Sequence, residues 1–405
     1  MTARVCVISF FVLGLPNIVP AATAEPFSDK VRLFGDTRIR YEHASTDTDP
    51  LDANGITVRL RPALEVDLTK RFTALFEAEA IFAIVDEFDD GSGNDPSRPV
   101  ILDPNGLELN RASLQYQITD QTFVTAGRQR LALDDQRFIG SLAFRQNDQT
   151  FDALHFSSRF LDGITVQSGY FDRVNRILGA DNPAGRFRGD SYYFNVNVPT
   201  PLGRIGAFHY AFDLGTDAQL PVSDIFSSRT TGIRLDGRFH RDRFGLDWEA
   251  SYARQVDHAD NPLNYAANYW LAGVTAFAGP AKLNLRFESL GADDEQAFQT
   301  PVGTLHAFQG AADIFLVTPN AGVEDFSASG TWDFGGLGPF DKITSRLTFH
   351  DFKDEANGDS LGEEIDFDLS AVLGPWRIDF TVADYRADTF ASDTLRVFFG
   401  ITHRF

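Results

Sequence analysis

The chain has 405 residues, of which 43% are hydrophobic and 23% charged, and this mixture excludes a disordered or low-complexity protein. Its formal net charge of -21 argues against a nucleic-acid partner. Arginine makes up 31 of the 36 basic residues, and arginine is the cation best suited to bind carboxylates and other planar anions.

The N-terminal segment has the three parts of a secretory signal peptide. Arg4 supplies the positive charge, residues 5–15 form the apolar stretch, and residues 22–24 (Ala-Thr-Ala) match the small-residue cleavage pattern. The apolar stretch is far shorter than the ~20 residues that a membrane-spanning helix needs. We therefore predict a signal peptide over residues 1–24 and an exported mature chain over 25–405. The single cysteine lies in that peptide, so a disulfide framework is excluded.

From residue 31 onward the hydrophobic pattern alternates with a period of two, which is the signature of β-strands. In residues 56–68 every second position is apolar or proline, while Arg59, Arg61 and other polar residues occupy positions between them. Residues 343–349 show the same pattern. Each such strand has one apolar and one polar face. Because a soluble β-sandwich also alternates in this way, a second criterion is needed to separate the two folds.

The lengths of the connections supply that criterion. Short turns rich in Gly, Pro and Asp alternate strictly with long polar loops, such as 87–106, 132–150 and 291–322. We therefore predict an all-β fold: one transmembrane up-and-down antiparallel β-barrel of about 18 strands, with short periplasmic turns and long extracellular loops. The predicted strands are 31–43, 55–68, 72–86, 107–118, 122–131, 151–160, 164–174, 190–198, 203–213, 229–240, 244–256, 266–277, 281–290, 323–333, 341–352, 361–373, 376–386 and 395–405.

The last predicted strand, 395–405, alternates and ends on Phe405. This terminal pattern resembles the signal that outer-membrane proteins present to their assembly machinery, which makes that machinery an expected partner. An ordinary edge strand is the alternative. The 38 Phe residues suit a lipid-facing band with aromatic girdles, so outer-membrane lipid and lipopolysaccharide are the other expected partners.

Two segments carry a resemblance to a known family. Residues 127–154 are GRQRLALDDQRFIGSLAFRQNDQTFDAL, and residues 306–330 are HAFQGAADIFLVTPNAGVEDFSASG. Both resemble motifs of the alginate-export family of bacterial outer-membrane porins. The resemblance implies an 18-stranded barrel whose arginine-lined lumen passes a polyanion. The matching residues are Gly127, Arg128, Gln129, Arg130, Asp135, Gln136, Arg137, Phe138, Arg145, Gln146, Phe151, Asp152 and His306.

The arginines of the first segment point to an anion pathway. Arg128 and Arg130 lie two positions apart on a predicted strand, so both side chains are expected to face the lumen. Arg137 and Arg145 follow in the 132–150 connection, which is long enough to fold into the pore as a constriction. Arginine forks bind carboxylates bidentately, which suits a lumen that passes sugar acids or other organic anions.

Arg59 and Arg61 repeat the two-apart spacing on an earlier strand. The same arginines have a second possible role, because porin lumens also carry Arg opposite Asp or Glu to neutralise buried charge. Asp135 and Asp152 lie near enough in the sequence to form such pairs. A selectivity element and a structural charge ladder are both consistent with this pattern.

These observations predict a monomeric channel that passes anionic saccharides such as alginate, or related carboxylates, through an arginine-lined lumen. The alternative is a general or organic-acid uptake porin with little selectivity. An outer-membrane hydrolase is less favoured, because the eight His residues are scattered and no nucleophile-elbow or zinc-protease motif is present. The sequence also has no calcium-loop spacing and no dinucleotide or phosphate-loop motif, so neither a metal nor a cofactor is expected.

Overall fold

The computed structural model describes residues 26–160, 163–215 and 224–405. The predicted signal peptide, 1–24, lies outside these ranges. Within them no helix is long and apolar enough to cross a membrane. Two short 3-10 helices occur, at Asp224–Phe226 and Leu305–Ala307. Nearly all the remaining regular structure is β-strand.

The strands of the described chain form one sheet. Their bounds are β1 Pro26–Ser28, β2 Val31–Thr46, β3 Ala53–Asp67, β4 Phe72–Glu87, β5 Gly106–Thr119, β6 Thr122–Gln129, β7 Thr150–Arg159, β8 Thr165–Asn175, β9 Arg186–Thr200, β10 Gly203–Phe212, β11 Ser228–Arg241, β12 Phe244–Asp257, β13 Ala266–Ala278, β14 Ala281–Leu290, β15 Val323–Leu337, β16 Phe340–Lys353, β17 Ser360–Leu373, β18 Trp376–Ala387 and β19 Thr394–Arg404. From β2 onward each strand pairs antiparallel with the next, and β19 pairs with β2. The result is a closed 18-stranded barrel, and β1 pairs only with the start of β2.

The predicted fold class is confirmed, and each of the 18 predicted strands corresponds to one strand of the barrel. The largest differences are at β9, which begins at Arg186 rather than 190, and at β15, which ends at Leu337 rather than 333. Both strands continue through a glycine with positive φ, Gly189 at 150° and Gly335 at 63°. Pairing resumes beyond such irregularities, so a break in the alternation does not end the strand.

The apolar face of each strand lies on the outside of the barrel. Leu60, Phe82 and Leu347 are typical of this surface, with about half of each side chain exposed. The opposite face carries charge: Arg59 and Arg61, the neighbours of Leu60 in β3, are buried inside the barrel. An apolar exterior around a polar interior is the arrangement that a barrel needs when hydrocarbon surrounds it.

One part of the interior is apolar, which the alternation did not predict. In β9 and β10 the inward residues Tyr193, Phe208 and Tyr210 are buried, while the outward residues Tyr192 and Phe194 are exposed. The buried rings pack against two long connections that enter the barrel, here named loop A (130–149) and loop B (291–322). The expectation that the Phe residues mainly form a lipid-facing band is therefore incomplete, because many of them fill the barrel.

The C-terminal residue, Phe405, forms backbone hydrogen bonds between the first and last strands of the barrel, β2 and β19. The Phe405 N–H donates to the Gly35 carbonyl oxygen at 3.1 Å, and the Gly35 N–H donates back to Phe405 at 2.9 Å. This reciprocal pair belongs to the closed ladder of β19 and β2. The terminal strand is therefore not an edge strand.

Candidate functional site

Loops A and B interlock inside the barrel. The Gly140 N–H donates to the Val302 carbonyl oxygen at 2.9 Å, and the Thr304 N–H donates to the Gln136 carbonyl oxygen at 2.8 Å. The Phe144 ring stacks on the His306 imidazole with centroids 3.5 Å apart. The two segments that carry the family resemblance therefore meet in space, although more than 150 residues separate them in the sequence.

Ion pairs tie loop A to opposite walls of the barrel. On one side Arg145 pairs with Glu42 of β2 at 2.9 Å, and Asp148 pairs with Arg61 of β3 at 2.7 Å. On the other side Arg137 pairs with Glu288 of β14 at 2.8 Å. Loop A therefore spans the lumen as a constriction, as its length allowed.

Arg128 and Arg130 do not share a cluster, contrary to the expectation from their spacing. Strand β6 ends between them at Gln129, after Gly127 at a φ of 111°. Arg130 contacts Glu77 and Asp148 on the lumen side. Arg128 pairs with Asp152 at 2.7 Å. Asp152 lies two residues from Leu154 in β7, on the same outward face, where Leu154 is 51% exposed. The positive φ and the strand end explain why a period of two fails here.

The other matching residues hold loop A in shape. The Gln129 amide donates to the Ala153 carbonyl oxygen at 3.0 Å, and the Gln146 amide donates to the Thr57 hydroxyl at 3.0 Å. Asp135 pairs with Arg234 at 2.8 Å. Phe138 lies in a cluster of rings on the opposite wall. Of the predicted site residues, Arg59, Arg61, Arg130, Arg137 and Arg145 all have carboxylate partners, so the structural charge ladder describes them well.

Strands β2, β3, β18 and β19 present a group of inward arginines that we name the arginine wall: Arg38, Arg59, Arg61, Arg377 and Arg404. Register places these residues side by side, because Arg38 is paired with Arg59 on one side and with Thr402 on the other. Asp36 neutralises part of this charge, with its carboxylate 2.7 Å from the Arg61 guanidinium.

Arg38 differs from its neighbours in the arginine wall. Its guanidinium donates to the carbonyl oxygens of Ala143 and Arg145, at 3.3 and 3.4 Å, and has no ion-paired carboxylate among the described residues. Its side chain is partly exposed, and Arg59 and Arg40 beside it are also cationic. A positive charge in this setting is available to a mobile anion. In the sequence Arg38 and Arg40 repeat the two-apart arginine spacing, but that spacing does not distinguish Arg38 from the other lumen arginines.

His306 is the His residue of the second motif, and its contacts are structural. Its Nδ1 lies 2.8 Å from an Asp313 oxygen, and its ring stacks on Phe144 and meets Phe398 edge-on. These contacts include no Ser, Thr or Cys side chain that an imidazole could activate, so they do not favour the hydrolase alternative.

Asp313 in loop B fastens that loop to loop A. Burial raises its pKa, but His306 and the Arg145 guanidinium at 2.6 Å outweigh burial and hold the pKa of this carboxyl below its usual range. A carboxyl group with a lowered folded-state pKa stabilises the folded form above its unfolded pKa of about 3.9, and this contribution disappears as pH falls through the folded pKa.

We therefore expect loop B to stay attached between pH 7 and 5, and Asp313→Asn to loosen it throughout that range by about 1–3 kcal/mol. Hydrogen exchange of the loop B amides in nanodiscs measures both effects. Loss of wild-type protection on acidification to pH 5 would contradict the direction of the pKa shift.

The barrel is similar to several solved structures. OpdK from Pseudomonas aeruginosa aligns with a TM-score of 0.69 at 14% identity, covering 94% of this chain and 100% of that one. OccAB2 from Acinetobacter baumannii gives 0.70 at 15% identity, with 94% and 99% covered. A structure of OpdK with vanillate gives 0.67 at 15% identity, with 92% and 98% covered. No protein-family model and no curated protein matches the chain. These likenesses show the fold, which is the 18-stranded antiparallel barrel of outer-membrane proteins such as OpdK.

Proposed function

We propose that the protein is an outer-membrane channel for small organic anions, above all carboxylates, with its long loops outside the cell and its turns in the periplasm. The observation that carries the proposal is Arg38, the lumen guanidinium without an ion-paired carboxylate among the described residues. Export through the predicted signal peptide and a monomeric state are parts of the same proposal.

The mechanism is passive. An entering carboxylate exchanges part of its hydration shell for charge-assisted hydrogen bonds from Arg38 and then from neighbouring arginines of the wall. Because Asp36 and Asp379 accompany Arg61 and Arg377, the field along the wall is positive but not strong enough to trap the anion. The net charge of -21 does not oppose this, since the local field in a lumen can differ in sign from that of the whole molecule.

One structural neighbour supports small carboxylates as the transported anions. OpdK was solved with vanillate, a small aromatic carboxylate, and the present barrel has the same fold. Loops A and B cross the lumen, which suits a compact solute better than a wide polymer. The organic-acid alternative drawn from the sequence is therefore the better supported one.

A second candidate is the passage of anionic saccharides such as alginate. It is favoured by the two segments that resemble the alginate-export family, 127–154 and 306–330, because they are the parts of the chain that form the constriction. Oligouronates and vanillate distinguish the candidates. A saccharide channel is expected to be blocked by oligouronates at concentrations where vanillate has no effect, and a small-anion channel is expected to show the reverse.

Arg38→Ala tests the main proposal in a planar bilayer. Wild-type protein is expected to pass chloride in preference to potassium, and vanillate should reduce the chloride current. In the variant we expect the anion preference to fall by about fivefold, since a hydrogen bond to a partly exposed charge contributes roughly 1 kcal/mol.

Two further variants serve as controls. Arg38→Lys keeps the charge and should retain most of the preference, and Arg386→Ala removes an exposed, ion-paired arginine from the outer surface and should change nothing. Preference for cations in the wild type, or an Arg38→Ala variant indistinguishable from it, would refute the proposal.

A further inference from the structure

We propose that the outer surface of strands β10–β13, at the loop end of the barrel, binds a phosphate group of lipopolysaccharide. The binding residues form a basic outer patch, defined as His209, Arg229, Thr231 and Arg254. The inference rests on the outer-membrane location proposed above and is independent of what passes through the lumen.

Register places the patch residues in one group. His209 is paired with Thr231, and Thr231 is paired with Arg254, so these three side chains form a row across β10, β11 and β12. Adjacent strands lie about 4.8 Å apart, so the row spans roughly 10 Å. Arg229 lies two residues beyond Thr231 toward the loop end of β11 and therefore shares its face. Ile233, the next residue on that face, is 52% exposed, which identifies it as the outer one.

An aromatic pair lies directly below the patch. Tyr252 and Trp270 are cross-strand partners with ring centroids 4.4 Å apart, and both follow the patch row toward the middle of the barrel. The Tyr252 hydroxyl donates to the Asn268 side-chain oxygen at 3.0 Å, which continues the polar row onto β13. Aromatic belts mark the boundary between hydrocarbon and headgroups. The basic outer patch therefore lies at the level of the headgroups of the outer leaflet.

The charges of the patch are available. Arg229 and Arg254 are exposed, and neither has an ion-paired carboxylate among the described residues. His209 shares a 2.7 Å hydrogen bond with the Thr231 hydroxyl. Guanidinium groups bind phosphate with paired, charge-assisted hydrogen bonds. The Arg229 and Arg254 guanidinium groups lie above an aromatic pair and therefore suit a phosphate carried on a lipid. The sugar and acyl parts of that lipid would contact the Tyr252 and Trp270 rings.

The opposite outer wall shows that this charge is local. At the loop end of β15–β18 the outward residues are mainly acidic, namely Glu324, Asp351, Glu363 and Asp384, with Lys353 and Arg386 in ion pairs among them. In a chain of net charge -21 the basic outer patch is therefore placed on one side of the barrel. A phosphorylated glycolipid is expected to bind that side and to avoid the acidic one.

The test measures retention of bisphosphorylated lipid A by the purified full chain in nanodiscs, using native mass spectrometry. Arg229→Ala/Arg254→Ala is expected to weaken binding of bisphosphorylated lipid A by about tenfold. The wild type should bind dephosphorylated lipid A with a similarly reduced affinity. Arg229→Lys/Arg254→Lys should keep part of the affinity. The control Arg386→Ala, on the acidic wall, should keep all of it.

Three results would overturn the inference: unchanged binding by the double alanine variant, equal binding of the dephosphorylated lipid, or displacement by inorganic phosphate at equal concentration. Bilayer recordings separate this inference from the proposed function. Because the patch lies outside the lumen, the double alanine variant should conduct with unchanged anion preference. That recording also shows that the variant has folded.

Discussion

Arg137→Met is expected to release loop A from the β14 wall. The Arg137 side chain is 1% exposed and donates to Glu288 at 2.8 Å, Thr300 at 2.9 Å and Gln309 at 3.0 Å. Its guanidinium also lies 4.7 Å from the centre of the Phe308 ring. Methionine fills similar volume but leaves the buried Glu288 carboxylate with only the more distant Arg286 guanidinium, at 3.9 Å. Breaking a buried ion pair on one side costs about 3–5 kcal/mol.

Hydrogen exchange of the Gly140 and Thr304 amides measures the effect, because their bonds hold loops A and B together. A drop in protection by two or more orders of magnitude corresponds to the lower end of that free-energy range. Arg137→Met/Glu288→Gln is the matched control. Removing both charges should restore much of the protection, since a neutral side chain has a smaller desolvation penalty than an unpaired charge. Unaltered protection in the single variant would show that the pair does not hold the loop.

Phe138→Ala is expected to loosen the apolar side of loop A by a similar amount. The Phe138 ring is 5% exposed, and its centroid lies 5.1 Å from that of Phe208, 5.3 Å from Tyr269 and 6.0 Å from Phe298. Truncating a buried phenylalanine to alanine costs about 3–5 kcal/mol, because the apolar contacts are lost and the cavity collapses only in part. Urea unfolding in detergent micelles, together with loop hydrogen exchange, gives the cost and its location.

Phe82→Ala provides the comparison, since that ring is half exposed on the outer face of the barrel and does not contact loop A. It should leave loop protection unchanged, whereas Phe138→Leu should give an intermediate loss. If Phe138→Ala preserved wild-type protection, the apolar core would not be what fixes loop A. The constriction would then depend on its ion pairs alone.

The barrel itself could be predicted from the sequence because its determinants are local. A strand with lipid on one side and a polar interior on the other must alternate, and the alternation over residues such as 56–68 marks both the strand and its faces. Tight turns and long loops then specify the up-and-down order. The partial exceptions, at Gly127 and Gly335, lie where positive φ interrupts the period.

The candidate site could be predicted only in outline. Composition and spacing indicated an arginine-rich lumen and identified Arg59 and Arg61, which do lie in the arginine wall. Composition and spacing did not indicate that Arg128 would lie on the same outward face as Leu154. They also did not indicate that Arg38 would differ from the other lumen arginines in having no ion-paired carboxylate among the described residues. Which charge is neutralised depends on residues from distant strands, and alternation within one strand contains no information about them.

The sequence by itself determined the class of fold, the number of strands and which face of each strand points outward, because these follow from short-range periodicity. The tertiary structure decided what fills the barrel. Arg145 pairs with Asp313 and Arg137 pairs with Glu288 across 168 and 151 residues of chain, while Phe138 packs against rings from β10, β13 and loop B. Long-range pairing and packing select one closed arrangement of the two loops, and that arrangement leaves Arg38 partly exposed, on the carbonyl oxygens of loop A.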